Sequence, residues 1–84
     1  MERMTQKTEN GYEIRNDVSL NDAVERLAAF ENMYEALLIE AERAEKKIDQ
    51  LREQDKTKTV TFRQLFGEKL KLSEMINRVG FWIK

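Results

Sequence analysis

Eighty-four residues, 40% hydrophobic and 37% charged, allow one small domain with a thin core and a heavily solvated surface. A chain this short buries only about 60–65% of its unfolded surface, which leaves a lone monomer marginal. With neither cysteine nor histidine, disulfides, thiolate or imidazole metal sites and histidine acid–base chemistry are excluded. Small proteins without such staples gain stability by association.

The formal net charge of −1 hides an asymmetry. Residues 1–54 carry 8 basic and 13 acidic side chains, whereas residues 55–84 carry 7 basic and 3 acidic. The two parts attract each other, within one chain or between chains. No stretch approaches the ~20 consecutive apolar residues of a membrane span. The opening Met1-Glu2-Arg3-Met4 leads into polar residues rather than the apolar run of a secretory signal. The expected setting is cytoplasmic.

Residues 1–18 read as a polar arm or a small β-hairpin, because Asn10-Gly11 is a turn signal. A three-residue loop Glu9-Asn10-Gly11 would pair Thr8 with Tyr12 and Gln6 with Ile14. That register predicts one sticky face made of Met4, Tyr12 and Ile14.

Residues 19–84 read as a helical hairpin with an aromatic tail. Ser19 with Asp22 resembles a capping box, and from there to about Gln54 the chain has no glycine and no proline. Taking Leu20 as heptad position a puts Leu20, Leu27, Tyr34, Ala41 and Ile48 at a, with Ala23, Phe30, Leu37, Ala44 and Leu51 at d. Every one is apolar, which predicts a long helix over about 19–54. Val24, Met33 and Leu38 widen the apolar face early, while Ala41 and Ala44 narrow it and invite close approach by another helix.

Asp55 to Thr59 interrupt the pattern. A second, antiparallel helix is expected over about 61–79, opened by a Thr61/Gln64 capping box and ended by Gly80. Its expected buried residues are Phe62, Leu65, Phe66, Leu70, Ile76 and Val79, with a break or close contact allowed at Gly67. A helix of some 35 residues spans about 52 Å and one of 18 about 27 Å, so the second covers only part of the first. The uncovered face, Leu20, Val24, Leu27, Phe30, Met33, Tyr34 and Leu37, predicts a coiled-coil-like homo-oligomer, with a dimer favoured.

No phosphate-binding loop, nucleophile elbow or metal-ligand spacing occurs, so no catalytic, cofactor or metal site is expected. Three binding readings remain. The tail Phe81, Trp82 and Ile83 is expected to fold back onto the helices and complete a small core, because small domains need every large apolar group. The other reading plugs it into a pocket on a protein partner, because tryptophan is a favoured interface anchor. Gln64 to Val79 weakly resembles a helix-turn-helix; Arg63, Lys69, Lys71 and Arg78 would then contact DNA, although Lys71 stands where the turn wants glycine. A shared nucleotide site between subunits would draw on Arg15 and Arg26, with Tyr12 and Tyr34 as stackers.

Met-Glu-Arg-Met-Thr at 1–5, Gly11-Tyr12 and Asp22-Ala23-Val24-Glu25-Arg26-Leu27-Ala28-Ala29-Phe30-Glu31-Asn32 carry a further likeness. They resemble a family of small phage and prophage proteins of Gram-positive bacteria. Those proteins open Met-Glu-Arg-Leu-Thr and later read Ala-Val-Asp-Arg-Leu-Ala-Ala-Tyr-Glu-Asp. Relatives continue Thr-Gly-Leu-x-Pro-Glu, where this chain runs on as Met33-Tyr34-Glu35-Ala36-Leu37. The resemblance implies a mobile-element origin inside a bacterial cell, and it transfers no functional residue. The partner expected for the aromatic tail and the apolar helix face is a host or phage protein, with an oligomeric counter-defence protein as an alternative reading.

Overall fold

The computed structural model describes residues 1–83. In chain order the elements are β1 (Thr5–Thr8), β2 (Gly11–Ile14), α1 (Leu20–Glu53) and α2 (Val60–Trp82). The chain falls into two compact units, Met1–Asn32 and Met33–Lys84, and α1 runs through both.

In the first unit the two strands pair antiparallel, Thr8 with Gly11, Lys7 with Tyr12, Gln6 with Glu13 and Thr5 with Ile14. The loop is therefore Glu9-Asn10, one residue shorter than the sequence suggests, and Gly11 belongs to the strand. Gly11 holds φ at +145°, a conformation that side chains rarely adopt, so this residue absorbs the bend. Shifting the pairing by one residue exchanges faces. Met4 thus lies on the side of Gln6 and Glu13, which are joined by a 2.6 Å hydrogen bond, while Tyr12 and Ile14 share the other. The expected common face of Met4, Tyr12 and Ile14 does not form.

Two arginines fasten this hairpin. Arg15 donates to the Arg3 carbonyl at 3.0 Å, and its backbone N–H extends the ladder to the Met4 carbonyl. Arg26 on α1 donates to the Glu2 carbonyl at 2.6 Å. α1 begins where expected: Ser19 Oγ accepts from the Asp22 N–H at 3.0 Å, satisfying a donor that the helix cannot.

The second unit is an antiparallel helical hairpin. Leu37 and Ala44 of α1 pack with Leu72 of α2, and Ala41 and Ile76 lie against this cluster. The small residues of the seam thus receive a large one from α2. Lys69 bridges to Glu45 at 2.9 Å, and Arg52 lies over the Phe62 ring at 6.0 Å. Between these cross-links Ile48 is completely buried. The core is smaller than expected on the α2 side: Phe66 and Leu70 are exposed, and Leu72 is buried in their place.

Both ends of α2 differ from expectation. Its N-cap is Thr59 rather than Thr61, with Thr59 Oγ1 accepting from the Phe62 N–H at 3.2 Å. The cap sits early because the turn closes tightly, with the Lys56 N–H reaching back to the Leu51 carbonyl at 2.8 Å and Asp55 at φ 58°. At the other end, Gly80 does not stop the helix, which continues to Trp82. Gly80 instead lies beside Tyr34, whose hydroxyl would be 3.7 Å from any Cβ placed there. Gly67 causes no break, so α2 is one continuous helix and the helix-turn-helix reading of Gln64–Val79 is corrected.

Candidate interaction surface

The face of α1 expected to bind another chain is divided by the fold. Leu37 is buried in the hairpin core, and Phe30 and Tyr34 are half-buried. Leu20, Val24, Leu27 and Met33 remain exposed, with Leu20 at 68%, Val24 at 53% and Leu27 at 57%. Leu38 and Ile39 are exposed as well. The structure therefore keeps Leu20, Val24 and Leu27 as a connected stripe at i, i+4 and i+7.

Beside that stripe, the first unit contains an open groove of about 710 Å³ that the sequence did not reveal. Met1, Met4, Ala23, Leu27, Ala29 and Phe30 supply its apolar lining, and Arg3 and Arg26 its charge. Met4 reaches it because the strand register turns Met4 away from Tyr12. Arg3 is held by Thr5 Oγ1 at 3.2 Å and lies over the Tyr12 ring at 5.6 Å.

The tail is exposed, so the expectation that it folds back to complete the core is corrected. Trp82 is 78% accessible and meets Phe81 edge-on, with ring centroids 5.8 Å apart. Ile83 closes the helix by donating its N–H to the Val79 carbonyl at 3.1 Å. Three large apolar side chains thus stand together at the end of α2.

Of the basic residues suggested for DNA, Lys69 is engaged with Glu45 inside the hairpin. Arg63, Lys71 and Arg78 are exposed on α2, with Glu68 and Glu74 interspersed. Of the residues suggested for a nucleotide, Arg15 and Arg26 already hold backbone carbonyls, and Tyr34 is packed near Gly80. Among the described residues, no group of three acidic side chains is placed to hold a metal, and no helix is long and apolar enough to cross a membrane.

No protein-family model matches the chain, and no curated protein or solved structure matches it. The functional reading therefore rests on these surfaces.

Proposed function

We propose that the protein is a non-enzymatic, self-associating helical interaction module of phage or prophage origin, working in the bacterial cytoplasm. It binds its own copies through the exposed stripe of α1 and a host or phage protein through its aromatic tail. One observation carries the reading. Leu20, Val24 and Leu27 stand 68%, 53% and 57% exposed along one face of α1, and Trp82 stands 78% exposed at the end of α2. Left in water, such side chains forgo about 25 cal/mol for each Å² that could be buried.

Light scattering on a sizing column, across a range of concentrations, is the test. The expected result is a mass at least twice 10.0 kDa that falls on dilution and falls further in a Leu27→Lys variant. Wild-type chain that stays monomeric at high concentration overturns the proposal.

A further inference from the structure

The surface that covers the α1 stripe can be read from the rest of the molecule. Continuing the stripe by one turn, Leu20, Val24 and Leu27 are followed at i+11 by Glu31, so the apolar row ends in a carboxylate. On α2, Arg63, Phe66, Gly67, Leu70 and Lys71 occupy i, i+3, i+4, i+7 and i+8, which is also one face. All but Gly67 are exposed. This second face has the complementary composition, two large apolar residues flanked by two cations. Among the described residues neither Glu31 nor Arg63 takes part in an ion pair.

Gly67 supplies an independent argument. A glycine inside a helix costs about 1 kcal/mol relative to alanine. Here nothing in the chain requires it: φ is ordinary, and beyond its own helix a Cβ would meet no atom within 4 Å. The space over Gly67, rimmed by Arg63, Leu70 and Lys71, suits the close approach of another helix. Glu68 and Glu74 along the same helix disfavour a polyanion.

We infer that the occupant is a second copy of this chain, with the α1 stripe Leu20, Val24, Leu27 and Glu31 of one copy seated on the α2 face Arg63, Phe66, Gly67 and Leu70 of another. The inference rests on the self-association proposed above and specifies its contact as heterologous, two unlike faces rather than one face meeting itself.

The experiment uses full-length Glu31→Arg and Arg63→Glu variants, alone and mixed, with mass measured at fixed concentration in low salt. Each variant alone should associate about tenfold more weakly, and the equimolar mixture should regain wild-type mass, because reversed charges meet again across the contact. Gly67→Leu should also weaken association without lowering the melting temperature of the dilute chain. Circular dichroism checks that all three variants keep their helices. Singly reversed variants that keep wild-type mass, or a mixture that stays dissociated, overturn this contact while self-association stands. A monomeric wild type overturns both. Retention of duplex DNA that Arg63→Glu abolishes, with mass unchanged, overturns it in favour of a polyanion.

Discussion

The turn between the helices offers the sharpest test of the fold. α1 closes with two reverse hydrogen bonds, Lys56 N–H to the Leu51 carbonyl at 2.8 Å and Asp55 N–H to the Arg52 carbonyl at 3.1 Å. This is the paired arrangement that normally places glycine in the left-handed conformation after a helix. Asp55 occupies that position at φ 58°. A side chain there costs about 1–2 kcal/mol, with aspartate toward the lower end. Its carboxylate also faces the negative end of the α1 dipole, an effect of about 0.3–1 kcal/mol. Glycine recovers both but loses about 0.5–1 kcal/mol through greater freedom in the unfolded chain. Asp55→Gly should therefore stabilise the protein by about 0.5–1.5 kcal/mol. At roughly 4–8 °C per kcal/mol for a domain of this size, thermal melting resolves such a gain readily. Asp55→Asn should recover only the dipole contribution, and Asp55→Ala should melt below Asp55→Gly. All four proteins must be compared at one concentration, since association raises the apparent melting temperature. Asp55→Gly melting at or below wild type, or Asp55→Ala matching Asp55→Gly, would refute the assignment of strain to this residue.

Two further outcomes follow from the packing. Ile48 is fully buried, so Ile48→Ala should cost about 2–5 kcal/mol and Ile48→Val about 0.5–1.5 kcal/mol in denaturant melts. A loss below 0.5 kcal/mol for the alanine variant would mean the hairpin core is not closed around it. Gly11→Ala forces a side chain into φ +145°, so the amides of Gln6 and Glu13, a hydrogen-bonded pair of the ladder, should lose hydrogen-exchange protection while helical circular dichroism stays unchanged.

Much of the architecture was legible in the residues because the signals are local. The apolar a/d row and the absence of glycine and proline fix α1, and Ser19 fixes its start. The failures share a cause: each depended on a contact between segments. Glu9-Asn10-Gly11 is compatible with a two- or a three-residue loop, and only the ladder to Arg15 selects one. Thr59 and Thr61 are both plausible caps, and the tight turn at Asp55 chooses the earlier. Gly80 reads as a stop, yet the neighbouring Tyr34 explains its presence inside a helix. Leu72 was missed because Phe66 and Leu70 offered more apolar area on a different face, whereas α2 turns the face that carries Leu72 and Ile76 toward Leu37, Ala41 and Ala44. For the interaction surface, the exposed part of the α1 stripe was visible in the periodicity. The groove beside Met4 was not, since it needs the hairpin register.

The short turn at Asp55 also bears on the order of events during biogenesis. Leu37 and Ala44 meet Leu72, brought back by a connection only a few residues long, and the β-hairpin closes over Glu9 and Asn10 alone. Chains dominated by such near-neighbour pairings fold in about microseconds to milliseconds. Encounters between two protein molecules at cellular concentrations are slower, with rate constants of about 10⁵–10⁷ M⁻¹s⁻¹. At micromolar protein each chain is thus already folded when it meets another. The proposed self-association would then proceed by docking finished surfaces, with the copy number in the cell, rather than the folding step, governing how much of the protein is assembled.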